Sequence, residues 1–335
     1  MVLKMPDNDY LKELERLEEI WPRMISEGFW STGKTDFNPQ SPSVAIGSGC
    51  SLSIAGVAEL MLNEMGAMHT RVCTPYEFVH SGLRPGLALL VSAKGEHSDV
   101  INCYKELLSR SCPTVVVTSK RNSSLVRLAQ ANLANTGVFG PMSESRRGGF
   151  IPVESSMTMA SLLLLIRYAS SSVPDEVVDI LSLAKQDHEN AMKSLSLEHI
   201  REVNIVATLF GKPAAQDVET RLQESGLAVS TITDPWNFGH GRYMMVACGE
   251  SRQLLVMIYT PDEKDASLHV LSCIPKSVST YVISAPQTGL LGSLYCLYRS
   301  MLLVGALGIA KKMDPAKLEV PAWGDSLYEG RPTYS

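Results

Sequence analysis

Two short runs in the first half of the chain carry residue types that hold an anion. Gly47-Ser48-Gly49-Cys50-Ser51 ends the apolar run Val44–Ile46 and opens a stretch with helical spacing. Backbone N–H groups and hydroxyls at a helix start are donors aimed one way, and the helix dipole adds partial positive charge. Gly49, Cys50 and Ser51 are the candidates there. Ser92-Ala93-Lys94-Gly95-Glu96-His97-Ser98-Asp99 ends a second apolar run, and it adds the cation Lys94 to the donors Ser92 and Ser98. Taken singly, each loop reads equally well as turn glycines with N-capping serines. Two of them at one sheet edge make a more specific pattern. In the second half, Trp236-Asn237-Phe238-Gly239-His240-Gly241-Arg242-Tyr243 is an aromatic, glycine-rich loop. It carries His240, an imidazole able to exchange protons near neutrality. It also carries Arg242, which suits an anionic substrate group or an inter-subunit ion pair. Glu224, near the end of an amphipathic helix, reads in isolation as an exposed charge.

These residues need elements to position them. Val44–Ile46, Arg71–Cys73, Leu87–Ser92 and Pro113–Thr118 are short aliphatic or β-branched runs, with helical spacing in Ile54–Met65 and Asp99–Ser109. Parallel neighbours need crossover helices, so this rhythm predicts a parallel sheet covered on both faces. The apolar helix Met157–Tyr168 closes the half. A linking helix, Pro174–Leu195, precedes a second round, with strands at Asn204–Leu209, Ala228–Thr233, Gln253–Thr260 and Thr280–Ser284. Helices at Ala214–Ser225 and Glu263–Leu271 alternate with them, and Leu290–Ala310 is a long closing helix. The expected fold class is α/β, with two doubly wound parallel-sheet domains, an N-terminal helix (Asp9–Ile20) and an irregular C-terminal tail. The expected divisions are 1–40 for the N-terminal helix and linker, 41–172 for the first domain, 173–312 for the linker helix and second domain, and 313–335 for the tail. Ligands of such sheets bind beyond the carboxyl ends of the strands, where both first-half loops fall. Gly47-Ser48-Gly49 lacks the third glycine of a dinucleotide fingerprint and no Walker lysine follows, which disfavours NAD and ATP.

The 335 residues carry 30 basic and 35 acidic side chains, a formal charge of −5 without a block of like charge. Generic nucleic-acid binding needs a concentrated basic surface, so that class is set aside. The segment around Leu290–Ala310 is interrupted by Ser293, Arg299, Ser300 and glycines, and Met1–Tyr10 has no apolar core behind Lys4. No membrane association and a cytoplasmic location are therefore expected. The seven cysteines are odd in number and never form a CxxC pair, which points to reduced thiols. His69, His80, His188, His199 and His269 show no ligand spacing; neither a metal nor a cofactor is expected. The helices Met157–Tyr168 and Leu290–Ala310 have more apolar surface than one sheet face needs, which points to a homodimer or higher homo-oligomer.

With Gly47–Ser51 ahead of an apolar helix and Ser92–Asp99 at a strand end, the chain resembles the sugar isomerase (SIS) domain family, as a double-SIS protein over nearly everything after about residue 40. Gly211–Gly241 is similar to the isomerase part of glucosamine-6-phosphate synthase and to related aminosugar isomerases and deglycases. In that family a helical Glu precedes the His of a His-Gly element by sixteen residues, the spacing of Glu224 and His240-Gly241 here. The resemblance implies that Ser51 and Ser92 sit at a sugar-phosphate pocket and that Glu154, Ser155 and Ser156 lie in a loop lining it. It implies that Glu224 is the base moving a proton between C1 and C2, and that His240 assists ring opening, reaching the site across a dimer interface. The chain departs from the family at Lys94 and His97, where a Ser and a Thr are usual, and at Arg221, where the synthase has a lysine. Lys311, Lys312 and Lys317 lie near the place of the synthase's C-terminal lysine without a clear match. Such chemistry needs a base within reach of a carbon-bound proton, a carboxylate made more basic by partial burial, and a remote anion site that holds the substrate in register. The implied activity is isomerisation of a phosphorylated sugar or aminosugar, or a deamination or deglycation using the same proton shift. The partner is a small-molecule phosphosugar or other anionic sugar derivative. The alternative from another class is a non-catalytic sugar-phosphate-binding regulatory protein.

Overall fold

The computed structural model describes residues 8–33, 41–67, 69–144, 150–248 and 252–329. Helix α1 (Asp9–Glu27) and strand β1 (Phe29–Gly33) lead into β2 (Ser43–Ile46), α2 (Cys50–Glu64), β3 (Thr70–Cys73), α3 (Pro75–His80), β4 (Leu87–Ser92) and α4 (Ser98–Ser109). They are followed by β5 (Thr114–Thr118), α5 (Ser124–Gln130), β6 (Thr136–Pro141) and α6 (Val153–Arg167). The second half runs α7 (Ile180–Met192), β7 (Glu202–Ala207), α8 (Lys212–Glu224), β8 (Val229–Thr233), α9 (Pro235–Asn237), α10 (Tyr243–Cys248), β9 (Gln253–Tyr259), α11 (Lys264–Cys273), β10 (Thr280–Ser284), α12 (Gly289–Lys311) and α13 (Ala322–Glu329). Two compact units result. The second-half unit gathers α1 as far as Trp21, residues 150–153 and Pro174–Lys317; the rest of the described chain forms the first-half unit.

The first-half sheet has the order β1-β6-β5-β4-β2-β3. β2 through β6 pair in parallel, whereas β1 pairs antiparallel with β6, Ser31 opposite Phe139. The sheet is therefore mixed rather than wholly parallel. The expected linker holds β1, whose sequence Phe-Trp-Ser-Thr-Gly sits on an edge with two of its five residues exposed and none buried, and so lacks an apolar signature. Leu87–Ser92 and Thr114–Thr118 are buried on both faces, as the central strands of a parallel sheet must be. Ile46, Leu90, Val116 and Val138 form a core with Phe78, Tyr104, Leu107 and Leu125.

The second-half sheet is all parallel, in the order β10-β9-β7-β8. This repeats the β5-β4-β2-β3 part of the first sheet, so β7 corresponds to β2, β8 to β3, β9 to β4 and β10 to β5. α12 packs against α7 and α8. By length and composition α12 is apolar enough to cross a membrane, yet 89% of its most apolar stretch is buried within the protein. Its apolar side chains, and those of α6 such as Met157 and Leu163, are used in the core; the surplus surface from which an oligomer was expected is not on these helices. The tail beyond Met313, expected to be irregular, contains α13 at Ala322–Glu329, with Trp323 exposed.

One network of buried polar groups in this unit is centred on Arg299. Arg299 donates through Nε and Nη2 to Tyr281 Oη (3.2 and 3.0 Å) and through Nη1 to Tyr295 Oη (3.2 Å). Tyr281 Oη lies 2.6 Å from His188 Nδ1. Because the phenol already accepts from Arg299, its own proton is left for His188, which must accept. Burial, with the nearby Arg299 charge, pushes His188 down to about 3, so the ring is neutral and structural.

Candidate functional site

β2 and β4 are neighbours, with Ile46 opposite Leu90, so the loops that leave their carboxyl ends lie side by side. The first is built without a side-chain cap: Gly49 is the N-cap of α2, and its side of the turn closes through Ser51 N to Ser48 O (3.0 Å) and Leu52 N to Gly49 O (2.9 Å). Gly47 is required by close approach, since a Cβ there would stand 2.2 Å from Ser51 O. Gly47→Ala is expected to lower stability by about 2 kcal/mol, the usual cost of forcing backbone apart in a packed place. Gly239→Ala, where a Cβ would meet nothing within 4 Å, is the control; calorimetric melting of both variants checks the difference.

The second loop is laced to the start of α5. Ser119 Oγ donates to Ala93 O (2.7 Å), Leu125 N to Gly95 O (3.0 Å), and Ser124 N and Oγ to the Glu96 carboxylate (3.0 and 2.6 Å). The Ser124 hydroxyl holds the Glu96 carboxyl below its ordinary range. Gly95 takes φ +64° with Ser123 Oγ only 2.5 Å from where a Cβ would be, so the loop closes only with glycine. Buried Ser92 accepts from Gly95 N (3.1 Å) and keeps its proton to donate. Lys94 and Ser98 are exposed, Ser98 as the first residue of α4. Gly49, Cys50, Ser51, Ser92, Lys94 and Ser98 thus share one edge of one sheet.

Glu154, Ser155 and Ser156 do not form a loop. They make the first turn of α6 and are buried, because the apolar spacing of the helix extends back to Val153.

Glu224 and His240 both belong to the second-half unit. α8 returns antiparallel to β7 and ends at Glu224, exposed at the amino-end edge of the strands. β8 then crosses the sheet, and His240 follows its carboxyl end. In sequence the two residues flank β8, Glu224 ahead of it and His240 after it, and the stretch from His240 runs back until Met244, Met245 and Cys248 stand beside Glu202 and Gln253, the first residues of β7 and β9. The segment carrying His240 is not a loop: α9 passes through a π-helical turn, Phe238–Arg242, into α10, with His240 and Arg242 exposed. Asp234 caps this stretch, accepting from Trp236 N and Asn237 N at 2.9 and 3.0 Å.

Of the departures from the family, Arg221 has no access to a ligand. It is fully buried, donating to Asp217 Oδ2 (2.8 Å), Ile151 O (2.9 Å) and Pro152 O (3.3 Å). Lys311 donates to Leu227 O, and burial lowers its pKa; Lys317 pairs with Asp9 at 3.1 Å. Among the described residues no group of three or more His, Cys, Asp or Glu is placed to hold a metal ion.

A feature not singled out in the sequence is a cavity of about 940 Å³ beside β8 and β9, with Trp236, Phe238, Tyr243 and Val270 facing Asp262 and Glu263. Its signal was the capping-box spacing Thr260-Pro-Asp-Glu263 directly after an apolar strand.

Residues 41–138 match the family model described as SIS domain. The similarity spans β2 to the start of β6. No curated protein matches the chain. Among solved structures, the C-terminal domain of glucosamine-fructose-6-phosphate aminotransferase from Francisella tularensis is similar at a TM-score of 0.74 and 15% identity, covering 95% of this chain and 100% of that one. Glucosamine-6-phosphate deaminase from Thermotoga maritima follows at 0.71 and 14%, covering 92% and 97%. Tagatose-6-phosphate ketose/aldose isomerase from Escherichia coli stands at 0.65 and 14%, covering 93% and 96%. At these identities the likeness is one of fold. The matched residues contain both anion loops, while Glu224 and His240 lie outside them.

Proposed function

We propose that the protein is an isomerase of phosphorylated sugars or aminosugars, or a deaminase or deglycase that uses the same proton shift. The observation that carries this reading is the pair of donor-rich loops, Gly47–Ser51 and Ser92–Ser98, at adjacent strand ends of a SIS domain. The solved structures of similar fold act on such sugars by their names. The phosphate is held by N–H groups at the start of α2, by the hydroxyls of Ser51, Ser92 and Ser98, and by Lys94. Glu154, Ser155 and Ser156 complete the binding set, and Arg242 is a further anion contact. Binding energy at the phosphate fixes the sugar carbons relative to the base. Glu224 takes the proton from the carbon next to the carbonyl and returns it to the neighbouring carbon, while His240 relays the ring-oxygen proton. A binding protein without turnover is the second reading, favoured by the position of Glu224 and His240 outside residues 41–138, where both anion loops lie.

The test uses the expectation, carried by the resemblance, that His240 reaches the sugar from a second copy. Glu224→Gln and His240→Asn chains, each inactive alone, are expected to recover about a quarter of parental activity when mixed at random, because half the dimers are mixed and each has one intact site. Activity is followed as deuterium uptake from heavy water into the best binder from a melting screen of glucosamine 6-phosphate and hexose 6-phosphates. Recovery near zero refutes the shared site. A parental protein that is stabilised by these compounds but exchanges no deuterium is the binding protein.

A further inference from the structure

The correspondence of β7 with β2 and β9 with β4 puts the loop after β7 where Gly47–Cys50 stands, and the loop after β9 where Ser92–His97 stands. The two halves treat the acid of that second loop in opposite ways. In the first half Glu96 is turned aside onto Ser124 N and Oγ at the start of α5. In the second half Glu263 is turned inward. Its Oε1 accepts from Phe210 N (2.6 Å) and Gly211 N (3.4 Å), in the turn that leads into the thirteen-residue helix α8. Its Oε2 accepts from Thr260 N (2.7 Å) and from Thr260 Oγ1. Glu263 is 6% exposed. Leu209, which opens this turn, takes φ +40° without being glycine, a conformation that costs energy and persists where the surroundings hold it. The 940 Å³ cavity ends on the same residue, with Asp262 beside it.

The geometry points to an oxyanion site in the second half that the chain fills with its own Glu263 carboxylate, so that a phosphorylated ligand has one site per chain, in the SIS domain. Three backbone N–H groups converge on two carboxylate oxygens, as they would on two oxygens of a phosphate, and the Thr260 hydroxyl divides its one proton between Glu263 and Asp262 Oδ2 (2.9 Å). With Glu263 seated, a second anion entering the cavity meets the charges of Glu263 and Asp262 and is repelled. The contents of the cavity are thereby restricted to ligands without a phosphate at this end.

Removal of the carboxylate should open the site to inorganic phosphate. Glu263→Ala is expected to melt lower than the parent, and 20 mM sodium phosphate should restore about 4 °C more in the variant than in the parent, the gain from filling a millimolar site about twenty-fold over its Kd. Sodium chloride at equal ionic strength is the control for screening. If Glu263→Ala does not purify folded, its recovery on dilution from urea into phosphate rather than chloride reads the same effect. Equal responses to phosphate in variant and parent, or two phosphates bound per parental chain, overturn the inference. A parent that ignores phosphate while Glu263→Ala is rescued counts against the SIS-domain site alone.

Discussion

Glu224→Gln is expected to reduce deuterium exchange into the bound sugar by about 10³-fold, within the range that a positioned general base contributes, while leaving the protein as stable as before. The substitution keeps the shape of the side chain and removes its negative charge and with it the ability to take a proton. The carboxylate ends a helix, where the dipole favours cations and opposes negative charge. An acid in that place adds little to the fold, so the melting temperature of Glu224→Gln should match or slightly exceed that of the parent. Ligand-induced stabilisation should also survive, since the anion loops belong to residues 41–138, far from Glu224 in sequence. The three readouts together separate a base from a structural acid: exchange lost, fold kept, binding kept. Exchange at the parental rate in Glu224→Gln removes the residue from the mechanism.

How far the fold could be read from the sequence follows from what each strand touches. Leu87–Ser92 and Thr114–Thr118 are buried on both faces, so their apolar runs and their place in a parallel sheet were plain. β1 pairs along one edge only, and Gly and Pro punctuate its partner β6, Thr136–Pro141, so neither carried a strand pattern. The helical turn around His240 was hidden for a local reason. Gly239 and Gly241 read as loop residues, and Gly241 does take a non-helical φ of 122° inside the turn. The anion loops were legible because a glycine-bearing turn between strand and helix has a residue signature of its own. The orientation of Glu96 and Glu263 was not, since two acids at matching positions differ only in which N–H groups their neighbours leave within reach.

Arg221 shows the same limit and gives the largest stability effect expected in the molecule. In the sequence it stood out only as a departure, an arginine where the synthase has a lysine. Yet Ala214, Asp217, Val218, Arg221 and Leu222 recur at steps of three and four and lie on the buried stripe of α8, a pattern that already pointed inward. There the guanidinium answers Asp217, itself bound by Ser300 Oγ at 3.0 Å, and takes the Ile151 and Pro152 carbonyls just ahead of Val153, the first residue of α6. Arg221→Met leaves Asp217 charged and buried and two carbonyls without this donor, which should cost about 3–5 kcal/mol. For a unit of this size that is about 6–20 °C in melting temperature. Arg221→Lys restores a charge but not the fork that reaches Asp217 and both carbonyls at once, so it should recover only part of the loss. Pairing Arg221→Met with Asp217→Leu should be less damaging than the sum of the two single changes by more than about 1 kcal/mol, because the second removes the stranded charge. Calorimetry on the four proteins decides it: additive single effects, or a fall below about 2 °C for Arg221→Met, would mean that the buried pair does not hold the segment at 150–153 in place.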